Sequence, residues 1–360
     1  DEVKLTVNNI SKDIRSIIGP LVVRRSRLDL QDIPDYTKDL KRQNIQLVIP
    51  NDPEELTYDL SQMKDQYLNT LDRISKSEGS TDNITRFKAA RYSPVLYVKE
   101  DMREQLAQEL EEKTGIKFGL LIGRQVNVSS FMRHLLVSRF ESSMAAFQTS
   151  LGYMIQSAEH LLTWIDKRHK IPVYKKGNLP EVDDFYTDDG MEEIQEAFDK
   201  YESRGFFEID MKYVEDNFIE DVKADIHLLQ SLREEWFGKE NVIKQDPKLD
   251  SFIGIAKKKL EQEPERKLIV FSEYADTIDY LGKKLLEAGL PVMKYTSADA
   301  SPNNKERIRA NFDAGLKKEL QRDDYKILVA TDAISEGYNL HRAGAIFNYD
   351  IPYNPTRVIV

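Results

Sequence analysis

The sequence contains no cysteine. That one absence removes disulfides, thiolate nucleophiles and cysteine-based zinc sites together. A reducing cytoplasm suits such a chain, and a cytoplasmic location is the expectation. Histidine is sparse: His134, His160, His169, His227 and His341 are the whole set, and none forms an HExxH-like pair of metal ligands. They read as ordinary surface or core residues, and no metal site is expected. No stretch approaches the roughly 20 apolar residues that span a bilayer, so no membrane partner is expected. The polar, acidic start from Asp1 to Asn9 has no signal-peptide character. The chain opens without Met, as expected of a segment cut from a longer one. No G-x-x-x-x-G-K-S/T phosphate loop occurs either: Gly238-Lys239 runs into Glu240, and Gly282-Lys283 into Lys284.

What is present reads as globular. The chain has 360 residues, 40% hydrophobic and 32% charged, enough for two or three domains with a buried core. The net charge of −10 argues at first sight against nucleic acid. Its distribution qualifies that reading. Acidic residues crowd the stretch from Tyr174 to Glu240, as in Glu181, Asp183, Asp184, Asp188, Asp189, Glu192 and Glu193. A DNA contact is therefore expected elsewhere.

Three parts follow from the pattern. Residues 1–170 read as mostly helical. Ser11 caps a helix carrying Ile14, Ile17 and Ile18, ended by Gly19-Pro20. Ile45 to Ile49 reads as a strand closed by Pro50. Glu54 to Ile74 reads as a helix with Leu56, Leu60, Met63, Tyr67 and Leu71 on one face, and Ser129 to Ile155 as a long helical stretch. Residues 171–245 form an acidic helical insertion or brace, in which Ile219, Val222, Ile226, Leu229, Leu232 and Trp236 make one amphipathic stripe. Residues 246–360 alternate strands and helices: Asp246 caps a helix, Leu268–Phe271, Val292–Tyr295, Ile327–Ala330 and Ala345–Asn348 are strands, and Ser301-Pro302 opens a further helix. This punctuation predicts an α/β fold, a parallel sheet with helices on both faces, whose site lies at the strands' C-terminal ends.

The specific residues stand at those ends. In VFSEYADT (270–277) a buried strand gives way abruptly to Ser272 and Glu273 and then to a helix start. A hydroxyl and free N–H groups there suit an oxyanion such as a DNA phosphate, although a serine or threonine cap also begins many ordinary helices. In LVATDAISEGYNL (328–340) a strand runs into Thr331-Asp332, followed by Glu336-Gly337 and Asn339. Glycine permits close backbone approach, and an Asn side chain can hydrogen-bond a ribose hydroxyl. In NYDIPYNPTR (348–357) two prolines fix an extended loop leading to Arg357.

In order and approximate spacing these three segments resemble motifs IV, V and the approach to motif VI of superfamily-two helicases. The bacterial Swi/Snf-type branch is the nearest in pattern. The resemblance covers 246–360. Upstream, VVRRSRLDL (22–30) looks like the basic segment leaving the first ATPase lobe, and LVSRFESSMAAF (136–147) is similar to an inter-lobe helix of the bacterial subgroup. The resemblance implies a RecA-like second lobe. It places Ser272 and Thr331 on the DNA backbone and Gly337, Asn339 and Glu336 on the nucleotide side. Asp332 would organise the motif loop, and Arg357 would lie at the lobe interface. It also implies ATP and Mg as cofactors, held mainly by a first lobe that these residues do not contain. The arginine fingers of motif VI would lie beyond Val360. The chain is thus expected to be the C-terminal part of an ATP-dependent DNA translocase or helicase, inactive alone, with DNA and the first ATPase lobe as partners. A protein partner at the acidic helices is a further possibility. The alternative is a non-enzymatic interaction module built on a RecA-like lobe.

Overall fold

The structure, a computed structural model, describes residues 33–43, 51–75, 85–115, 117–174, 206–334 and 338–351, together with Lys12, Ile14, Ser16 and Ile17. The chain divides into two compact units, Asp1–Thr57 and Tyr58–Val360. In the first, Lys12, Ile14, Ser16 and Ile17 are helical, and helix α1 spans Pro34–Arg42. Proline at its first turn, Asp35 beside it, and Lys41 and Arg42 in the last turn all suit the helix dipole. The expected strand at 45–49 and the basic cluster at 24–27 lie outside the described residues.

The second unit begins with α2 (Lys64–Ser75), α3 (Arg103–Thr114), α4 (Phe118–Ser142) and α5 (Met144–Arg168). One expectation is corrected here and another refined. The helix read from Glu54 starts only at Lys64. Asp59 takes the Ser61 N–H at 2.8 Å and its hydroxyl at 3.0 Å, a local turn that competes with helix, and Leu56 is left exposed without a core to bury against. The stretch read over 129–155 is helical but carries a break that the sequence pattern does not mark. Ser143 is extended (φ −154°, ψ 157°) and its hydroxyl accepts the Ala146 N–H at 3.0 Å, capping α5.

The amphipathic stripe forms α6 (Asn217–Phe237), which buries Phe218, Val222, Leu229 and Leu232 in the same core as Leu135, Phe140, Phe147 and Leu151 of α4 and α5. Phe140 is its centre: Tyr67 stacks on it at 4.8 Å, and Phe147 and Trp236 approach at 4.5 and 5.1 Å. A strand pair unforeseen from the sequence, β1 (Lys170–Tyr174) with β2 (Phe206–Asp210), runs antiparallel beside it. Its alternation is regular, with Ile171, Val173, Phe207 and Ile209 buried. The acidic run 181–193 lies outside the described residues.

The last part is a four-stranded parallel sheet. Strands β3 (Lys267–Phe271), β4 (Val292–Tyr295), β5 (Ile327–Ala330) and β6 (Ala343–Asn348) lie in the order β4-β5-β3-β6. Helices α7 (Pro247–Gln262) and α8 (Ala275–Glu287) cover one face, against Leu268, Val270, Ile327 and Val329. Helix α9 (Pro302–Phe312) covers the other, where Ile308 and Phe312 meet Ile269, Leu328 and Ala330. Asp246 and Ser301 accept N–H groups of the first turns of α7 and α9, as their sequences require. The helix starts and strands expected here, and the two-faced parallel sheet, agree with the sequence, except that β6 begins two residues earlier, at Ala343.

Polar groups buried in these cores define two measurable consequences. Asp225 on α6 accepts the N–H groups of Lys88 and Ala90 at 2.7 and 2.9 Å and so fixes the turn around Ala89, whose φ is 57°. Burial lifts its carboxyl to about 7, against the pull of those two bonds. The folded value lies above the unfolded one, so its stabilising contribution is complete in acid and is lost as the pH rises through 7. Urea titrations from pH 5 to 8 should therefore show wild-type stability falling relative to Asp225→Asn, whose curve lacks this slope. At the start of β3, fully buried Lys267 pairs with Asp323 at 2.6 Å, and Asp323 also holds Lys326 at 2.6 Å and Arg342 at 3.2 Å. Lys267→Met is expected to change stability by less than about 1 kcal/mol, because Asp323 keeps two cations and partial solvent access. Lys267→Ala, which opens a cavity, should cost about 2 kcal/mol or more in the same urea assay.

Candidate functional site

Parallel pairing puts the C-terminal ends of all four strands on one edge, and three of them carry the residues singled out above. Backbone bonds hold the ends level. The Ser272 N–H donates to the Ala330 carbonyl at 3.2 Å, Thr331 N–H to Tyr295 at 3.2 Å, and Tyr349 N–H to Phe271 at 2.8 Å. Ser272 and Thr331 thus stand on neighbouring strands of the same edge.

Ser272 is buried, and its hydroxyl donates to Asp350 Oδ2 at 2.5 Å while accepting the Tyr274 N–H at 3.2 Å. Asp350 Oδ1 accepts the Glu273 N–H at 2.9 Å. The carboxylate of Asp350 therefore occupies the place at this helix start where an oxyanion is expected, held by one hydroxyl and one N–H from the β3 end. Asp350 carries no motif signal of its own in the sequence; it is a carboxylate two residues past β6.

Thr331 is fully buried, and its hydroxyl has no hydrogen-bond partner among the described residues. A short 3-10 turn, Asp332–Ile334, follows, with Asp332 half-buried and Ile334 anchored in the α9-side core. The chain is next described at Tyr338, whose hydroxyl lies 2.9 Å from that of Tyr295, the two rings edge to face at 5.8 Å. Burial first, then this bond, raises the Tyr338 pKa, so it stays a neutral phenol. Thr331 and Tyr338, on the two sides of the loop, are thereby both tied to Tyr295 of β4. Asn339 is exposed beside Tyr338. Glu336, Gly337 and Arg357 lie outside the described residues.

The donor set does not fit a magnesium–triphosphate centre on this chain alone. There is no phosphate loop in the sequence, and no group of three or more His, Asp or Glu side chains that could hold a metal occurs among the described residues. A hydrogen bond from the exposed Asn339 amide to a sugar hydroxyl does fit. Among the described residues no helix is long and apolar enough to cross a membrane.

Comparison with known proteins bears on the same part of the chain. Residues 248–360 match the helicase conserved C-terminal domain. An uncharacterized ATP-dependent helicase of Bacillus subtilis, YqhH, is 31% identical over 121 residues, which make up 33% of this chain and 18% of YqhH. The Pyrococcus furiosus Hef helicase domain structure superposes with a TM-score of 0.41 at 14% identity, covering 91% of this chain and 58% of Hef. The chain thus spans less than two thirds of either relative. Residues 248–360 thus resemble a helicase C-terminal domain, and there the chain folds as a parallel sheet whose strand ends gather the three segments described above.

Proposed function

We propose that the chain is the second-lobe part of an ATP-dependent, Swi/Snf-type translocase on double-stranded DNA. The observation that carries this reading is the convergence of three helicase-like segments, at Ser272, Thr331 and Asp350, on one end of a parallel sheet. On this reading residues 1–170 and 171–245 are the inter-lobe helical region and its brace. Ser272 and Thr331 serve the DNA backbone side. Gly337, Asn339 and Glu336 serve the nucleotide side, Asp332 shapes the loop between them, and Arg357 faces the first ATPase lobe. That first lobe supplies the phosphate loop, a motif this sequence does not contain, and the magnesium ligands. ATP, when bound between the lobes, supplies the free energy of movement. The residues here orient the sugar, keep the motif loops in place, and track phosphates without reading bases. Backbone tracking makes binding independent of sequence and sensitive to salt.

The test is turnover. The 360-residue chain alone should hydrolyse no ATP above background. A protein carrying both lobes should show turnover stimulated by duplex DNA of any sequence, and should displace a triplex-forming strand without unwinding a forked duplex. No stimulation by DNA in the two-lobed protein would favour an interaction module instead. Two substitutions separate site from scaffold. Thr331→Val keeps the shape and removes an unpartnered hydroxyl, so thermal melting should show stability equal to wild type or higher by up to about 1 kcal/mol. DNA stimulation should nevertheless fall several-fold. Asn339→Ala should raise the KM for ATP roughly 2- to 12-fold, the equivalent of one hydrogen bond, with little change in melting temperature.

A further inference from the structure

Among the described residues the strand-end loops run into the helical part of the molecule at the break between α4 and α5. Arg139, in the last turn of α4, is 2% exposed. Its Nε donates to the Ser150 hydroxyl and to the Ala146 carbonyl, both on α5. Its Nη2 pairs with Asp276 in the first turn of α8, and its guanidinium lies 4.9 Å from the Tyr274 ring centroid. The backbone of Tyr274 belongs to the lobe, yet its side chain is buried in the helical core. On α7, Lys248 donates to the Glu141 and Ser142 carbonyls at 2.8 Å each, the open end of α4 where the helix dipole favours a cation.

Three hydroxyls complete the joint, and their protons can be placed. Ser142 donates to Asp350 Oδ2 at 2.5 Å. Having one proton, it must accept from Thr277, whose Oγ1 lies 2.8 Å away. Thr277 has then spent its own proton and accepts from Ser143, also at 2.8 Å. Ser143 keeps a lone pair for the Ala146 N–H of the α5 cap. The order runs Ser143 to Thr277 to Ser142 to Asp350, ending on the carboxylate that also holds Ser272 and Glu273. Opening this joint would strip a buried guanidinium and several hydroxyls of their partners at once, which is costly for each group.

We propose that this joint locks the helical part and the RecA-like lobe into one body that moves as a unit during the ATP cycle, with Arg139 as the positioning residue of the motif IV loop. The movement rests on the helicase reading; the joint itself does not. Because the chain has no cysteine, Ser142→Cys with Thr277→Cys introduces the only thiols it contains. Mild oxidation of the folded chain should crosslink them nearly completely, and free thiols persisting would show that the two side chains are not held together. In the two-lobed protein the oxidised form should keep DNA-stimulated turnover within about twofold of the reduced form. A tenfold loss restored by reductant would mean that the joint opens in the cycle, and the proposal would fall. Arg139→Gln should lower the DNA-stimulated kcat about tenfold at unchanged KM for ATP. Hydrogen exchange should then rise at 272–278 and 349–351 while α6 stays protected. Exchange rising through α6 as well would make Arg139 merely a core residue and overturn its positioning role. Should the unmodified two-lobed protein show no DNA stimulation, the helicase reading fails, and crosslinking and exchange still judge the joint.

Discussion

Arg139 carries a permanent positive charge into a core of leucine, methionine and phenylalanine side chains. Burying such a charge costs several kcal/mol unless acceptors and a counter-ion surround it. That requirement dictates much of the architecture around it. The acceptors are the Ala146 carbonyl and the Ser150 hydroxyl, which fix how α5 leaves the helix break. The counter-ion is Asp276, which fixes where α8 begins relative to α4. The ring beneath the guanidinium is Tyr274, which ties the β3 loop to the same point. One desolvated cation thus sets the relation between the helices and the strand ends that carry the candidate site.

The lobe was legible in the sequence because its signals are local. Bare apolar runs such as Leu268–Phe271 can only be strands buried on both faces, and Asp246-Pro247 and Ser301-Pro302 mark helix starts by their own chemistry. The helical part was legible only where tertiary packing and local propensity agree. At Leu56 an apolar stripe continues past the region where a core exists to receive it, so periodicity alone extends the helix too far. At Ser142-Ser143 the stripe runs on across a break made by a capping hydroxyl. The pairing of β1 with β2 joins segments more than thirty residues apart, too distant for any turn signal to show it.

The candidate site was legible as a set of positions and not as a set of partners. Ser272 and Thr331 were singled out from strand-end chemistry, and the sheet does bring them to one edge. The partner of Ser272, however, is Asp350, 78 residues on, and the partners of Thr277 are Ser142 and Ser143, more than 130 residues back. A serine or an aspartate looks the same in sequence whether it faces solvent, a phosphate or another side chain. Only the packing of α4 and α5 against α8 distinguishes these cases.

The two ends of the sheet are held by different physics, and the difference suits different tasks. At the N-terminal end Lys267, Asp323, Lys326 and Arg342 form an ionic cluster, with Asp323 drawn down to about 2 as its bonds to the lysines outweigh the effect of burial. Charge pairs of that kind hold over a wide pH range and leave the strands' starts fixed. At the C-terminal end the Arg139–Asp276 pair is joined by hydroxyls that share protons in sequence and end on the carboxylate of Asp350. Neutral hydroxyls are placed with directional precision yet cost little to redirect, since each both donates and accepts. Beside them the Thr331 hydroxyl is buried with no partner among the described residues, so this end of the sheet retains hydrogen-bonding capacity. Strand ends locked to the helices by buried partners, with one hydroxyl among them still uncommitted, are the arrangement a lobe needs if those ends are to meet a ligand without the sheet giving way.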